Sequence, residues 1–460
     1  GAADGYGRMA GRPAMTLLHL GPGCANGIAN LHNARRAHTP VLNIIGDHAT
    51  WHRQADPPLA MDIPALAGTV SGWCRASTSA AGLARDTLAA VAAARKGAVA
   101  TLIVPQDHQW DLAQDQAVEV VAPERTTIDE HALEQAVRFL KAPGPNALLL
   151  GGRALSAEGL LLAARIKAAT GCDLLSESFP GRIERGAGLP DVERIPYLPE
   201  MAQPMLMRYT NFVIVGAREP IAFFGYRGMT GRLLSDTQQC HTLCEEPGSL
   251  VAHLAALADA LNAPTKAPEE LLSPAQRPPL PSGALTGSAI GGVLAALQPE
   301  NAIVVEEAIT SGVMYYPMTS GVPPFSLLTL TGGSLGQGMP CAVGAALACP
   351  QRKVIDFQAD GSSLYTPQAL WTQAREQLNI ITIICSNRSY DILKLELARA
   401  GTLDPGPNAR RLTDLAGIDW VKTAEGLGVP ACSASTCEEL ARALETALAE
   451  KGPHLIEAIL

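Results

Sequence analysis

The sequence has no stretch of 18 uninterrupted apolar residues, which is about the length that a helix needs to cross a membrane. The first residues, Gly1 to Gly5, have neither the basic start nor the apolar core of a secretory signal. Basic residues are fewer than acidic ones, 35 against 44, and the formal net charge is −9. This balance argues against a general nucleic-acid or membrane partner, and we expect a cytoplasmic protein that acts on small molecules.

Charged and aromatic residues are also scarce, at 17% and 4% of the chain, whereas apolar residues reach 47%. This composition provides ample material for buried cores and argues against disorder. The length of 460 residues predicts about three domains. Among ten scattered cysteines, Cys240 and Cys244 with His241 place three potential metal ligands within five positions. No second ligand pair follows at a zinc-like spacing, which argues against a structural metal there.

Strand-like apolar runs alternate with alanine-rich helical stretches through most of the chain. We predict an α/β protein with three doubly wound parallel-sheet domains, at residues 1–122, 123–262 and 286–460. Between the last two, residues 263–285 are rich in proline, which predicts an extended linker.

Two polar segments follow apolar runs in the third domain. Asp360 comes directly after the run at 354–359, and Asn387 follows the run at 380–385, 27 positions later (387 − 360). The carboxyl ends of parallel strands meet at one edge of a sheet, where α/β proteins bind ligands. The oxygens of Asp360, of Asn387 and of the Ser389 main-chain carbonyl are hard ligands suited to Mg²⁺. The spacing therefore predicts a site for a diphosphate and Mg²⁺.

This pair of segments resembles the signature of the thiamine-diphosphate enzymes, Gly-Asp-Gly followed by Asn-Asn, with Ala359 and Ser386 in place of one residue each. The likeness to acetolactate synthase, pyruvate oxidase and benzoylformate decarboxylase extends over almost the whole chain. It implies a pyrimidine-binding first domain, a Rossmann-like central domain and a diphosphate-binding third domain. It also implies a homodimer or homotetramer, with each active site between two subunits and with thiamine diphosphate and Mg²⁺ as cofactors.

The third domain holds further candidate cofactor ligands. The resemblance implies that Leu335 bends the cofactor and that the Gly333 carbonyl accepts a hydrogen bond from its amino group. Hydroxyls and amides follow two of the predicted strands and are candidates for the diphosphate, although such residues also form ordinary turns: Thr310, Ser311, Gly361, Ser362 and Ser363.

The first domain supplies candidate catalytic histidines. His19 ends a strand and matches a histidine of benzoylformate decarboxylase; an imidazole there could steer a carboxylate or relay protons. Asn26 could hydrogen-bond the pyrimidine. His48 and His52 follow the next strand, in a loop that borders the substrate in this family. For each of these residues a purely structural role remains open.

Ile392 and Leu393 should begin a helix beside the substrate. A glutamate stands in place of Leu393 in pyruvate decarboxylases of the yeast type, so the apolar residue favours a pocket closer to that of benzoylformate decarboxylase. Asp391 stands where relatives often have glycine, and the sequence gives it no role.

The resemblance implies a 2-oxo acid decarboxylase or carboligase, with acetolactate synthase-like C–C bond chemistry through the C2 carbanion and enamine of the cofactor. Which 2-oxo acid, and whether the product is released or ligated, stays open. The family's catalytic glutamate lies shortly before the aspartate that matches Asp4, so we expect an N-terminal segment before Gly1 to carry it. The alternatives are a non-catalytic cofactor-binding relative or assembly subunit and, with less support, an FAD-containing oxidase.

Overall fold

The structure is a computed structural model that describes residues 1–112, 127–402 and 404–460. The chain divides into two compact units, one of residues 1–116 and 276–460 and the other of residues 117–275. No helix in the described ranges is both long and apolar enough to span a membrane.

The first unit begins with alternating strands and helices. Its N-terminal part contains these elements: α1 Ala2–Ala10, β1 Ala14–His19, α2 Leu20–Arg36, β2 Val41–Asp47, α3 Ile63–Gly68, β3 Trp73–Ala76, α4 Leu83–Arg95, β4 Val99–Pro105 and α5 Asp107–Trp110.

The second unit carries the central elements of the chain: α6 Glu130–Lys141, β5 Asn146–Leu150, α7 Ala157–Thr170, β6 Asp173–Ser176, β7 Ile183–Arg185, β8 Glu193–Arg194, α8 Pro199–Leu206, β9 Asn211–Val215, β10 Gln239–Cys244 and α9 Leu250–Ala260.

The first unit resumes with its C-terminal part: α10 Gly287–Leu297, β11 Ile303–Glu307, β12 Phe325–Thr329, α11 Gly338–Ala348, β13 Val354–Ala359, α12 Asp360–Ser363, α13 Ala369–Arg375, β14 Ile380–Ser386, α14 Asp391–Arg399, α15 Pro407–Thr413, α16 Trp420–Gly426, β15 Ala431–Ala434, α17 Cys437–Ala449 and β16 His454–Ile459.

Each part of the chain forms its own parallel sheet. The strand orders are β1-β2-β4-β3 in the N-terminal part, β10-β9-β5-β6-β8 in the second unit and β15-β16-β14-β13-β11-β12 in the C-terminal part. The parallel register and the helices between strands confirm the predicted α/β class. The predicted domain bounds stay predictions, and the bound at residue 122 lies outside the described residues.

Helices α1 and α11 join the two parts of the first unit at very short range. A Cβ atom added at Gly5 would lie 2.0 Å from the carbonyl oxygen of Cys341, and one at Gly344 would lie 1.9 Å from that of Ala2. Both positions therefore require glycine, because any side chain would collide with the opposing backbone. Without side chains, the two helix backbones pack directly against each other.

A buried ion pair fastens the same junction. Arg8 is 2% exposed in its side chain and binds both carboxylate oxygens of Asp4, at 2.8 and 2.6 Å. Its Nη1 donates to the carbonyl of Thr329 (2.8 Å), the last residue of β12, and Nη2 donates also to the hydroxyl of Thr331 (3.1 Å). Thr39 donates a further hydrogen bond to Asp4. Because both charges are buried, each depends on the other for compensation.

We expect the substitution Arg8→Met to destabilise the protein by about 3–5 kcal/mol, because it leaves Asp4 as an unpaired buried charge. The matched control is Lys422→Met, which removes a surface ion pair with Asp419 and should cost at most about 1 kcal/mol. Urea denaturation followed by fluorescence measures both. Equal losses for the two variants would contradict the role given to the buried pair.

Candidate cofactor site

Four loops of the C-terminal part meet at one edge of its sheet. Strands β12, β11, β13 and β14 are adjacent and parallel in that order, with Glu307 paired to Gln358 and Ala359 paired to Cys385. Their carboxyl ends therefore lie side by side, and the loops that follow them start at this edge. This is the position where open α/β sheets bind ligands.

The two halves of the Asp360 and Asn387 motif meet there. The main-chain amide of Arg388 donates to Asp360 Oδ2 at 2.6 Å, and that of Gly361 donates to Oδ1 at 2.7 Å. Asp360 is only 2% exposed, and burial raises the pKa of its carboxyl, partly offset by these amides. The loop that carries Asn387 thus lies directly against the Asp360 carboxylate.

Asp391 orients the amide of Asn387. Asn387 Nδ2 donates to Asp391 Oδ2 at 2.9 Å, while its Oδ1 accepts from the amide of Ser389 at 3.0 Å. The Ser389 hydroxyl in turn donates to the carbonyl of Thr413. Asp391, for which sequence reasoning found no role, therefore fixes which atom of the Asn387 amide is the oxygen.

Strained backbone marks three positions just after the carboxyl ends of strands. Leu20, Ile309 and Arg388 have φ values of 56°, 47° and 55°, in the left-handed region that residues other than glycine seldom adopt. They follow β1, β11 and β14. Such strain costs on the order of 1–3 kcal/mol per residue and is concentrated at functional sites.

The loop from Thr331 to Gly338, here called the glycine loop, binds the carboxylate of Glu307. That carboxylate accepts hydrogen bonds from three consecutive main-chain amides: Gly336 (2.8 Å), Gln337 (3.2 Å) and Gly338 (2.6 Å). Glu307 is 2% exposed and lies at the end of β11. Its carboxylate thereby accepts hydrogen bonds from the amides at the start of helix α11, which begins at Gly338 and would otherwise have no partner within the helix.

Glu307 belongs to a buried polar network that the sequence analysis did not identify. Gln358 Nε2 bridges Glu307 (3.3 Å) and Asp356 (2.8 Å), and Thr382 donates to Asp356. Burial raises the pKa of Glu307 to about 7 and that of Asp356 to about 8. The three main-chain amides favour the ionised form of Glu307 and partly offset the effect of burial on its pKa. The available signal was an aspartate inside an apolar strand, where a charge is rarely found without a partner.

The candidate diphosphate ligands lie in or beside this network. The hydroxyls of Ser362 and Ser363 are buried and donate to main-chain or amide oxygens, including the carbonyl of Ala359. A phosphate contact through either hydroxyl would replace one of these bonds. Ser311 is also buried, and Thr310 is half-buried, in the loop after β11. Gly361 lies against Tyr390, whose ring leaves no room for a Cβ atom.

Gly333 and Leu335 lie in the glycine loop, which helix α2 also contacts. Asn33 binds the main chain of Ser334 twice, accepting from its amide at 3.2 Å and donating to its carbonyl at 2.8 Å. Leu335 is partly exposed at this position. Asn33, like Glu307, was not predicted from the sequence.

The predicted residues of the N-terminal part lie at the end of β1, in helix α2 and in the loop after β2. His19 and Asn26 are exposed. The rings of His48 and His52 are 5.6 Å apart, and His48 lines a cavity of about 370 Å³ with Asp47, Arg53, Asp56, Met61 and Asp62. Among the described residues, no hydrogen bond or ring contact joins any of the three histidines to Asp360 or Asn387.

Ile392 and Leu393 lie in the first turn of α14, as predicted. Leu393 is 48% exposed and Ile392 is partly buried. Both are close in sequence to Asn387 and Asp391, so they can line the approach to the Asp360 loop.

The residues at this edge fit the cation that the resemblance implies. Each oxygen of Asp360 accepts one amide, which leaves further lone pairs for a metal, and the same holds for Asn387 Oδ1. With the Ser389 carbonyl they form a set of hard oxygen ligands, the chemistry that Mg²⁺ prefers. Among the described residues, the hydrogen-bond partners of Asp360 and Asn387 include no sulfur or imidazole group, which a softer metal would favour.

Two family models match the chain. The model described as thiamine pyrophosphate enzyme, N-terminal TPP binding domain, matches residues 1–66. The model described as thiamine pyrophosphate enzyme, C-terminal TPP binding domain, matches residues 313–458. The second match includes most of the edge described above, with Asp360, Asn387 and the glycine loop.

Known proteins resemble the chain over nearly its full length. "Putative acetolactate synthase large subunit IlvX" of Mycobacterium tuberculosis is 48% identical over 463 residues, covering 100% of this chain and 89% of that protein. Benzoylformate decarboxylase of Pseudomonas aeruginosa is 29% identical over 492 residues, covering 99% and 89%. The solved thiamine diphosphate-dependent 4-hydroxybenzoylformate decarboxylase of Rhodococcus jostii RHA1 has the same fold, with a TM-score of 0.85, 22% identity and coverage of 99% and 89%.

The buried carboxyl network predicts how stability varies with pH. The folded pKa values of Asp356 and Glu307 lie above the ordinary value of about 4, so the folded state binds more protons than the unfolded state between about pH 4 and 8. Stability should therefore fall as pH rises through this window. We expect Asp356→Asn to reduce that fall in thermal midpoint, and the exposed control Glu445→Gln to leave it unchanged. An identical pH slope in wild type and Asp356→Asn would contradict the assignment.

Proposed function

This chain belongs to the family of thiamine pyrophosphate enzymes, and we propose that it is a Mg²⁺-dependent member that decarboxylates a 2-oxo acid. The observation that carries the proposal is the contact between the Asp360 carboxylate and the Arg388 amide. It brings the two halves of a diphosphate and metal motif to one sheet edge, with oxygen ligands that suit Mg²⁺.

Several residues of the C-terminal part would hold the cofactor. Asp360, Asn387 and the Ser389 carbonyl would bind the metal, and the glycine loop would contact the thiazolium ring through Gly333 and Leu335. Bound thiamine diphosphate supplies a carbon nucleophile and an electron sink, chemistry that no side chain provides. The protein's own contribution is to orient the cofactor and the substrate and to exclude water.

The histidines of the N-terminal part would handle protons and the substrate carboxylate. His19 and His52 could each bind a carboxylate or transfer a proton near neutral pH. The buried Nε2 of His48 has no hydrogen-bond partner among the described residues, which leaves it free to bind a ligand in the adjoining cavity. These roles require that the histidines face a diphosphate edge.

We propose that a second copy of the chain supplies that edge, in a homodimer or homotetramer. The three histidines make no described contact with Asp360 within one chain. Exposed apolar side chains also flank the diphosphate edge: Val313 (58%), Met314 (47%) and Tyr365 (57%), close after Ser311 and Ser363. Burial of these exposed side chains against a second copy would remove apolar surface from water.

Two outcomes are possible for the decarboxylated product. Release of an aldehyde is favoured by the apolar Leu393, at the start of α14, and by His19, since the sequence resembles benzoylformate decarboxylase at both positions. Ligation to a second carbonyl compound is the second candidate, because the relative that is 48% identical bears the name of an acetolactate synthase large subunit.

Cofactor binding is tested by Asp360→Asn. This change removes the charge of a metal ligand. We expect the affinity for thiamine diphosphate with Mg²⁺ to fall by on the order of 100-fold, because loss of a residue that only hydrogen-bonds a metal ligand already lowers metal affinity by about 10- to 100-fold. Isothermal titration calorimetry measures it. The exposed Asp236 provides the control, Asp236→Asn, which should bind as wild type does. Unchanged binding by Asp360→Asn would overturn the assigned metal site.

The reaction is tested by incubating the full-length protein, with cofactor and Mg²⁺, with benzoylformate and with pyruvate. We expect CO₂ release, with benzaldehyde as the product of benzoylformate, and a loss of kcat by about 10²- to 10⁴-fold in His19→Ala, because a proton-transferring group is removed. Mass spectrometry of the products separates aldehyde release from ligation. Absence of CO₂ from every 2-oxo acid tried would refute the proposal.

A further inference from the structure

The glycine loop is held from two opposite sides by residues that are distant in sequence. Glu307 binds its C-terminal end from strand β11, 29 to 31 positions before the bonded amides. Asn33 binds its middle from helix α2, 301 positions before Ser334. The two contacts therefore join the N-terminal and the C-terminal parts of the first unit at the loop.

The contact from Glu307 is strong for its size. One carboxylate accepts three amides in a row, and hydrogen bonds to an ionised acceptor are about twice as strong as neutral ones. Gln358 Nε2 donates a further hydrogen bond to the Glu307 carboxylate at 3.3 Å. A Cβ atom at Gly338 would lie 1.6 Å from the same nitrogen. The loop and the polar network are therefore packed against each other with no space for a side chain between them.

The contact from α2 fixes the loop's path. Asn33 is fully buried, and its side chain hydrogen-bonds both the amide and the carbonyl of Ser334. The main-chain carbonyl of Asn33 accepts a hydrogen bond from the Thr331 hydroxyl at 2.8 Å. A Cβ atom at Gly332 would lie 2.5 Å from Asn33 Oδ1. The backbone approaches α2 this closely only because Gly332 has no side chain.

A loop with four glycines in eight positions has large conformational freedom when it is not held. Ordering it when the cofactor binds would reduce the affinity, because the lost entropy is subtracted from the binding free energy. Hydrogen bonds that already order the loop remove this cost. Neither Glu307 nor Asn33 has to contact the cofactor for this effect.

We propose that Glu307 and Asn33 are positioning residues that hold the glycine loop in its cofactor-binding conformation before the cofactor arrives. The consequence for cofactor affinity depends on the proposed function, since it assumes that this loop contacts thiamine diphosphate. The preformed loop itself does not depend on it.

Hydrogen exchange of the full-length protein without cofactor tests the preformed loop. The amides of Gly336, Gln337 and Gly338 should exchange slowly in the wild type, because each donates to Glu307. In Glu307→Gln, whose side-chain amide opposes one of these donors, they should exchange at least about tenfold faster, in line with the loss of a charged hydrogen bond. The exposed control Glu445→Gln should leave them protected. Fast exchange in the wild type, or unchanged protection in Glu307→Gln, would overturn the proposal.

Calorimetric titration with thiamine diphosphate and Mg²⁺ tests the consequence for affinity. We expect Glu307→Gln and Asn33→Asp each to raise Kd by about tenfold or more, with full occupancy recovered at high cofactor concentration. Because both residues hold one loop, their effects in the double variant should not be additive. Two losses that simply add would contradict a shared action on the loop.

Thermal midpoints of all variants distinguish loop positioning from general destabilisation. If one of the two single variants, Glu307→Gln or Asn33→Asp, is unfolded at the assay temperature, the other variant provides the test, because the two residues contact separate segments of the loop. If the wild type binds no thiamine diphosphate while its loop amides are protected, the proposed function fails and the preformed loop stands. If the cofactor binds but the variants bind equally well, positioning by Glu307 and Asn33 is refuted.

Discussion

The direct packing of helix α1 on helix α11 is the constraint on which the candidate site depends. Glycines at positions 5 and 344 let the two backbones touch, and the Asp4 and Arg8 pair extends that contact to the end of β12. Helix α11 begins where the glycine loop ends, and α2 follows α1 in the same part of the chain. The crossing thus sets where Asn33 can reach the loop and where the amides of α11 meet Glu307. A shift of one helix would misplace both contacts.

The C-terminal core is polar where a purely stabilising core would be apolar. Replacement of buried polar groups by apolar ones is often neutral or favourable for stability. The polar network of Glu307, Gln358, Asp356 and Thr382 nevertheless lies in the strands whose carboxyl ends form the edge that carries Asp360. Its satisfied hydrogen bonds specify one arrangement of the loops above it, because a displaced loop would leave a buried donor or acceptor unpaired. Strain at Ile309 and Arg388 is consistent with this view, since surrounding contacts must hold such conformations.

The family comparisons and the geometry support different parts of the functional conclusion. Membership in the thiamine pyrophosphate enzymes establishes the cofactor class and an enzyme of acetolactate synthase or benzoylformate decarboxylase type. The geometry adds the hydrogen bonds among the residues at the sheet edge. Asp391 orients Asn387, and the hydroxyls of Ser362 and Ser363 donate to other groups of the protein. Among the described residues, the histidines make no hydrogen bond or ring contact with Asp360, and this supports the proposal that two copies form the complete site.

The sequence by itself determined the α/β class, the parallel sheets and the placement of the Asp360 and Asn387 loops at one sheet edge. These follow from local patterns, because an apolar run predicts a buried strand and parallel strands end at a common edge. Only the tertiary structure decided that Glu307 and Asn33 bind the glycine loop and that Asp391 orients Asn387. Periodicity reports which positions are buried, but it does not say which buried polar groups meet, and the bond from Asn33 to Ser334 spans 301 positions. Such pairings depend on how helices and sheets pack, which no local pattern contains.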